Sequence, residues 1–214
     1  MAIQLQEAYD ELANLKQDLS DVSDDLFISW ANHVNRHAYR YIQSIDPERF
    51  ILEQNFTNIT SGTQNLPNDF DSLQPFNTGI FYVDNNGNAT NRRLTLVPFG
   101  SSVPGYYLNG TQIVFLNITT NTNFVLRYMP KPPTLTVITD YFTTDKLSTG
   151  KEIIPTQYLL ALRDHLDVLY SQWDEDVNYE SVADARWVRE LNEMGTYINR
   201  TPSVYGFKYN TIIF

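Results

Sequence analysis

The chain has 214 residues, of which 42% are hydrophobic and 14% aromatic, so it is long and apolar enough to fold around a core. It contains no cysteine, which excludes disulfide scaffolds, thiolate zinc sites and cysteine nucleophiles and fits assembly in a reducing cytosol. The formal net charge is −10, from 15 Lys and Arg against 25 Asp and Glu, which is the opposite of the basic surface that tight DNA binding requires.

The sequence also predicts no membrane partner. No stretch approaches the roughly 18 consecutive apolar residues that indicate a membrane-spanning helix. The first residues, MAIQLQEAYDELANLK, lack the basic region and the apolar core of a secretory signal. We therefore expect neither membrane insertion nor secretion.

Two helical patterns occupy the first fifty residues. A first stripe of apolar residues at spacings of three and four predicts an amphipathic helix, and its members are Leu5, Ala8, Leu12, Leu15, Leu19 and Val22. Ser23-Asp24-Asp25 supplies a cap and negative charge for the start of a second helix. Its apolar stripe runs from Phe27 to Ile45, and Asp46-Pro47 ends it because a residue before proline avoids the helical conformation.

Strand patterns follow, from Phe50 to about Thr144. The predicted strands are Phe50–Ile59, Gly79–Asp84, Leu94–Phe99, Gly105–Leu108, Thr111–Leu116 and Phe124–Met129. Turns are expected at Asn85-Asn86-Gly87 and at Asn109-Gly110, the latter being a strong signal for a two-residue hairpin. Lys131-Pro132-Pro133 ends the last strand, because proline cannot donate a hydrogen bond to a sheet. Strands at this spacing predict a small antiparallel barrel or sandwich.

Helical spacing returns after Pro155. A third apolar stripe consists of Leu159, Leu162, Leu166, Leu169 and Trp173. Asp174-Glu175-Asp176 reads as a linker to a last helix near Ser181–Ile198, and no internal repeat is visible.

The order helix, strand, helix predicts an α+β fold, because two helices before the β region and two after it can pair. We expect an antiparallel helical bundle formed by residues 1–49 and 150–200, with residues 50–149 as an inserted small antiparallel β module.

The end of the chain, residues 201–214, has an unusual composition for a terminus. After Arg200-Thr201-Pro202 it is apolar and aromatic, whereas termini are normally polar and frayed. We expect it to be an assembly arm whose partner-binding residues are Tyr205, Phe207, Tyr209, Ile212, Ile213 and Phe214. The alternation up to Tyr209 suits strand addition to the edge of another chain, and the alternative is a last strand packed on the same subunit.

Candidate metal sites are incomplete. His33 and His37 lie four residues apart on the second helix and could face one ion, but Val34 stands where a zinc protease has its glutamate. A third ligand would have to be His165 or a carboxylate, which no spacing supports. The sequence Asp84-Asn85-Asn86-Gly87-Asn88 is rich in oxygen ligands but lacks the bidentate glutamate of a calcium loop. We expect no metal and read this segment as a hairpin turn.

Candidate catalytic motifs fail in the same way. Neither serine of Gly100–Gly105 has glycine two positions away on both sides, as a nucleophile elbow requires. Gly150-Lys151 is followed by Glu152 instead of the Ser or Thr of a phosphate-binding loop. No catalytic residue and no cofactor is therefore expected, and the chain is predicted not to be an enzyme.

Several longer phrases, taken in order, are more informative. They are WANHVNRHAYRYIQSIDPERF (Trp30–Phe50), SGTQNLPNDF (Ser61–Phe70), Pro104–Tyr107 before Asn109-Gly110, and LDVLYSQWDED (Leu166–Asp176). This series resembles the head-to-tail adaptor, or connector, proteins of tailed bacteriophages, especially the tail-tubular type of short-tailed phages.

The resemblance implies a structural virion protein that is assembled in the host cytoplasm. It implies a ring of identical subunits, by analogy a dodecamer, that joins the portal protein of the head to a tail nozzle or tube protein. DNA would pass through such a ring only as cargo, which agrees with the acidic charge.

Two other classes remain open. A carbohydrate- or receptor-binding virion module is suggested by aromatic residues near turns, namely Tyr106, Tyr107 and Phe115. A hydrolase or tail-associated lytic enzyme would need a carboxylate or histidine site in a cleft.

Overall fold

A computed structural model describes residues 3–16, 19–73, 77–84, 86–142 and 158–200. These residues form helices and antiparallel sheets, which confirms the predicted α+β class. The chain separates into two compact units, one built from residues up to 50 and from 132 onwards, the other from residues 51–131. No helix of the described residues has the length and apolar character needed to cross a membrane.

The first unit is helical. Its helices are α1 (Leu5–Lys16), α2 (Asp24–Ile45), α3 (Leu159–Trp173) and α4 (Val177–Arg200), and a short 3₁₀ turn covers Pro47–Phe50. Helix α3 packs against α1, α2 and α4. Each of the four helices contributes buried apolar side chains, among them Leu12, Phe27, Val34, Leu166 and Met194.

The start of α2 has the predicted cap. The Ser23 hydroxyl accepts a hydrogen bond from the Leu26 N–H at 3.3 Å, and Asp24 and Asp25 lie in the first helical turn. These carboxylates face the positive end of the helix dipole, which stabilises the helix start. The helix ends at Ile45, and the N–H of Asp46 donates to the Ile42 carbonyl at 2.9 Å.

Helix α1 is shorter than predicted. It ends at Lys16, and Leu19 and Val22 lie in a turn in which the Val22 N–H donates to the Leu19 carbonyl at 3.0 Å. Ser20 and Asp21 favour such turns because their side chains compete for backbone hydrogen bonds. Leu19 and Val22 are nevertheless buried, so the apolar pattern identified core residues but not the helix boundary.

The predicted stripe of α3 is also only partly core. Leu162 and Leu166 are buried, whereas Leu169 is half-buried and Trp173 is 43% exposed. Trp173 lies in the last turn of the helix, where its ring contacts Trp30 at a centroid distance of 6.1 Å. The spacing alone therefore overestimated the length of the buried stripe.

An extended segment after the strands packs on the helical unit. The Asn32 side chain bonds both backbone groups of Leu135 at 2.8 Å, and the amide of Asn35 donates to the Pro133 carbonyl at 2.9 Å. Further along, the Phe142 N–H donates to the Ile3 carbonyl at 2.9 Å. Residues 132–142 therefore belong to the helical unit, because side chains of α2 satisfy their backbone groups.

The second unit consists of two antiparallel sheets. Its strands are β1 (Leu52–Ile59), β2 (Gly62–Asn65), β3 (Phe70–Ser72), β4 (Gly79–Val83), β5 (Ala89–Arg93), β6 (Gly105–Asn109), β7 (Gln112–Leu116) and β8 (Thr122–Pro130). One sheet has the order β1-β8-β4-β5, with β3 also paired to β8, and the other has the order β2-β7-β6.

Both sheets contribute to one core. Phe115 of β7 stacks on Phe124 of β8 with ring centroids 5.4 Å apart, and Phe56 of β1 packs edge-on against Phe115 at 5.7 Å. All three side chains are buried, as are Ile80 and Ile113. Aromatic pairs in these geometries add to the stabilisation that comes from burying their surface.

Three features of the strand prediction were wrong. Leu94–Phe99 is not a strand, and the fourth partner of the large sheet is instead β5, whose side chains are half-buried or exposed. Strands β2 and β3 were missed because they are short and polar, and all four residues of β2 are exposed. Such edge strands carry little apolar pattern, so sheet pairing rather than side-chain periodicity forms them.

The β6–β7 hairpin is present, but its loop is shifted by one residue. Asn109 pairs with Gln112, so the two loop residues are Gly110 and Thr111. Gly110 has φ 59°, a left-handed conformation that glycine adopts without a steric penalty.

Candidate interaction surfaces

The six residues of the predicted assembly arm lie outside the described residues. They are Tyr205, Phe207, Tyr209, Ile212, Ile213 and Phe214. Their role as a partner-binding segment therefore stays a prediction.

The three histidines come together in the helical unit. His33 and His37 of α2 lie 5.7 and 5.1 Å from the ring of His165 on α3, measured between ring centroids. The His165 ring also stacks on Trp187 of α4 at 4.1 Å, and Trp187 lies 5.1 Å from His37. These residues form a ring cluster in which the three helices meet.

Burial changes the proton affinity of this cluster. His165 is 6% exposed, and burial, followed by the repulsion of His37 and His33, lowers its pKa to about 3. The pKa of His37 is also lowered, mainly by burial and then by the charges of His33 and Arg40. Both imidazoles are therefore neutral at neutral pH, because the cluster disfavours the cationic form.

The rings of this cluster pack edge-to-face and by stacking. Within the described ranges, no group of three or more His, Cys, Asp or Glu side chains could hold a metal ion. The sequence could not foresee that His165 lies beside His33 and His37, because their spacing carries no information about which helices meet.

The outer side of the same cluster is basic. His33, Arg36, His37 and Arg40 follow the i, i+3, i+4, i+7 spacing of one helical face, and all four are exposed. They line an open cavity of about 270 Å³. We call these four residues the basic face of α2.

Arg36 and Arg40 differ from most cations of the chain. Six described cations have a carboxylate within ion-pair distance, namely Lys16, Arg49, Arg127, Arg163, Arg186 and Arg189. Arg92 and Arg93 lie over the rings of Tyr82 and Phe81. In the part of the chain that the structure describes, Arg36 and Arg40 have no carboxylate partner, and Arg36 donates only to the Asn32 carbonyl of its own helix.

The turn between α3 and α4 is acidic. Asp174, Glu175 and Asp176 are exposed, and we call them the acidic turn. Asp174 is the C-terminal cap residue of α3, whose last turn contains no basic residue. A carboxylate at this end of a helix is unfavourable because the helix dipole is negative there.

A buried carboxylate joins three helices. Asp167 of α3 is fully buried, and its two oxygens pair with Lys16 of α1 at 2.6 Å and with Arg186 of α4. Arg186 also donates to the Tyr179 hydroxyl at 2.8 Å, and the Lys16 ammonium lies 3.7 Å from the centre of the Tyr179 ring. This ion network was not predicted, since an Asp on an apolar stripe is a weak signal without its partners.

Phe99 is exposed in a loop of the β unit. Phe99 is 84% exposed, and its ring touches only the edge of Tyr107 at 5.6 Å among the described aromatic rings. The Asn117 amide holds its loop by donating to the carbonyls of Ser101 and Val103 at 3.0 and 3.3 Å. The sequence contains a signal for a loop here, because Phe99 lies between Pro98 and Pro104. The strand predicted over Leu94–Phe99 disregarded this signal.

The aromatic residues suggested for a carbohydrate platform do not form one. Tyr106 is 4% exposed and Phe115 fully buried, and both belong to the core of the β unit. Only Tyr107 of the three is partly exposed. A sugar-stacking surface needs exposed ring faces, so this observation disfavours the carbohydrate-binding alternative.

The remaining sequence motifs are turns or lie outside the described residues. The Asp84 carboxylate accepts hydrogen bonds from the N–H groups of Asn86 and Asn88 at 2.9 and 2.8 Å. These bonds, chiefly that from Asn88, lower the pKa of Asp84 and hold the turn before β5. Ser102 lies in an exposed bend, and Lys151 is among the residues that are not described.

Two comparisons with known proteins bear on these surfaces. No curated protein shows significant sequence similarity to the chain. A sequence model of the SU10 adaptor protein family matches residues 3–206, which include all of residues 51–131, the basic face of α2 and the acidic turn. The match confirms the resemblance to phage adaptor proteins, and because it covers nearly the whole chain, the protein belongs to the SU10 adaptor protein family.

Proposed function

We propose that the protein is a structural subunit of a tailed-phage particle that joins the head portal to the tail. The observation that carries this proposal is the family match over residues 3–206. The subunits form a ring, by analogy a dodecamer, with the portal protein on one side and a tail nozzle or tube protein on the other. DNA passes through the ring as cargo, and the subunit has no enzymatic activity.

The architecture supports this role. Helix α3 contacts the other three helices, and the chain leaves the helical unit at residue 50 and returns to it at residue 132. We interpret the helical unit as an antiparallel bundle and residues 51–131 as a module inserted into it. A subunit of this kind consists of two units, each with its own core. Each unit can present a surface to a different partner, which suits an adaptor.

The charge balance supports a conduit. A net charge of −10 per subunit disfavours a permanent hold on DNA phosphates, because binding them requires cations that replace the counterions. A ring of such subunits lets DNA pass without retaining it.

The proposal is tested by imaging the purified protein in negative stain with and without its purified portal protein. We expect rings of the protein stacked on the portal. A protein that remains monomeric and does not bind the portal at micromolar concentration would contradict the adaptor role. Copurification of the protein with mature particles and its position between head and tail provide an independent readout.

A further inference from the structure

Two features of the helical unit are electrostatically unfavourable in an isolated subunit. The first is the basic face of α2, where two arginines and two histidines lie side by side. Arg36 and Arg40 lie one helical turn apart on this face, so their like charges repel one another. Burial, followed by the charges of His33 and Arg40, lowers the pKa of His37, so this face disfavours a further positive charge. No described carboxylate compensates the charges of the two arginines.

The second feature is the acidic turn. Asp174 and Glu175 are exposed at the negative end of the α3 dipole, and no described cation pairs with either of them. Glu175 also has φ 58°, a left-handed conformation that is uncommon for residues other than glycine. Asp174 therefore lies where the end of α3 disfavours a carboxylate, and Glu175 has an uncommon backbone conformation, whereas Asp176 is stabilised at the start of α4.

From this complementarity we infer that the basic face of α2 binds the acidic turn of a second copy of the chain. The inference rests on the proposed ring and names the surfaces of one subunit contact. In a ring, each copy would offer the basic face to one neighbour and the acidic turn to the other, which is a heterologous contact and closes when the rotation between neighbours allows it.

The chemistry of the two surfaces matches. Arg binds carboxylates through two parallel hydrogen bonds and stacks well on the face of Trp. The acidic turn begins next to Trp173, which is 43% exposed and held by ring contacts with Trp30 and Tyr170 at 6.1 and 5.8 Å. Arg and Trp are also the residue types that dominate binding energy at protein interfaces.

The alternative acidic segment of the same unit is less suitable. Asp24 and Asp25 are exposed, but they lie in the first turn of α2, where the positive end of the helix dipole already stabilises them. A cation from a neighbour would relieve less unfavourable charge there than at Asp174, which lies at the negative end of α3.

The absence of cysteine allows a clean cross-linking test. Ser44 is exposed one helical turn beyond Arg40, and Gln172 is exposed two residues before the acidic turn. Within one subunit, positions 44 and 172 are too far apart for a disulfide. Trp173, next to position 172, contacts Trp30 of α2, and Ser44 lies roughly 21 Å from Trp30 along the same helix. A disulfide between S44C and Q172C must therefore join two copies. The two single-cysteine variants are mixed and oxidised, both free and bound to purified portal protein.

We expect S44C to cross-link to Q172C at least about tenfold faster than to the control S102C, whose cysteine lies in the β unit. Adding R36E/R40E to the S44C variant should abolish this difference. When the S44C variant carries R36E/R40E, adding D174K/E175K to the Q172C variant should restore fast cross-linking. The two surfaces are then complementary again with their charges exchanged. Asp176 is left unchanged, since its carboxylate accepts the Tyr179 N–H at 3.1 Å at the start of α4.

Three outcomes would overturn the inference. Equal rates for Q172C and S102C would show that the surfaces do not meet. Loss of cross-linking in R36E/R40E without recovery in D174K/E175K would assign the basic face to another acidic segment. Binding of duplex DNA that depends on Arg36 and Arg40 would assign it to nucleic acid.

The adaptor function and the inferred subunit contact can be tested independently of each other. If R36E/R40E subunits, shown by circular dichroism to be folded, still form rings between portal and tail, the adaptor role stands and this contact is wrong. If wild-type subunits are absent from that position, the adaptor role fails whatever the cross-linking shows.

Discussion

Two polar residues of α3, His165 and Asp167, are almost completely buried and depend on their neighbours in opposite ways. His165 stacks on Trp187 and faces other imidazoles, so burial keeps it neutral. Asp167 faces Lys16 and Arg186 and has compensating cations on both oxygens. The packing of α3 against its neighbouring helices thus keeps His165 neutral and places two cations beside Asp167.

His165 should make the stability of the protein depend on pH. Its pKa is about 3 in the folded chain and 6.5 in a model peptide, so the unfolded chain binds a proton first as the pH falls. The free energy of unfolding should decrease by about 2 kcal/mol between pH 7.5 and pH 5 through this residue alone. Urea unfolding of wild type and H165F at both values measures this, and the dependence should be smaller in H165F. An identical pH dependence in the two proteins would show that His165 is not the cause.

Asp167 should be necessary for stability. Replacing it with Asn leaves Lys16 and Arg186 facing a buried neutral group, and breaking a buried ion pair in this way costs about 3–5 kcal/mol. We expect D167N to lower the free energy of unfolding measured in urea by several kcal/mol. The matched control D184N, at an exposed position of α4, should change it by less than about 0.5 kcal/mol.

At the scale of elements, local patterns predicted the interior of a helix or strand better than its ends. The Ser23 cap and the apolar stripe located α2 because capping and helical spacing act between near neighbours in the chain. The short strand β2 and the exposed end of α3 at Trp173 were not predictable in this way. Their state depends on which other elements lie against them, and sequence spacing does not contain that information.

Leu166 provides a test of the helical core. It is fully buried in the middle of α3, so L166A should lower the free energy of unfolding by about 2–5 kcal/mol through lost contacts and a residual cavity. Leu160 is 41% exposed on the same helix, and L160A serves as the control with a change below about 1 kcal/mol. Chemical denaturation of both variants gives the comparison. Similar losses in both would mean that the two faces of α3 are equally buried.

At the scale of the whole molecule, the apolar C-terminal residues and the acidic charge are the features that concern assembly. The apolar C-terminal residues are expected to supply affinity for a partner, because burying each large apolar side chain contributes about 1.5–3 kcal/mol to the free energy of binding. The acidic charge is expected to keep the ring from retaining DNA. Both expectations concern the assembly and operation of the particle. Neither depends on the fold of a single subunit.

Deleting Tyr205–Phe214 should leave the helical circular dichroism and the melting temperature of the free subunit nearly unchanged. It should abolish incorporation into particles, because we expect these apolar side chains to bind a partner subunit. A subunit that unfolds without the segment would show instead that these residues form an intramolecular strand.

Affinity for duplex DNA should be negligible at physiological salt. Fluorescence anisotropy with a labelled duplex over a range of salt concentrations measures it, and R36Q/R40Q is the matched variant. Tight binding with a steep salt dependence that disappears in R36Q/R40Q would mean that the basic face outweighs the net charge of −10.

The sequence by itself determined the α+β class, the succession of a helical, a strand and a second helical region, the cap of α2 and the resemblance to phage adaptors. These depend on composition, on periodicity and on short phrases, all of which are local. Only the tertiary structure decided that His165 stacks on Trp187, that Asp167 meets Lys16 and Arg186, and that Phe99 is exposed. These contacts join elements far apart in the chain, and the free energy of packing, rather than any local preference, selects which faces meet.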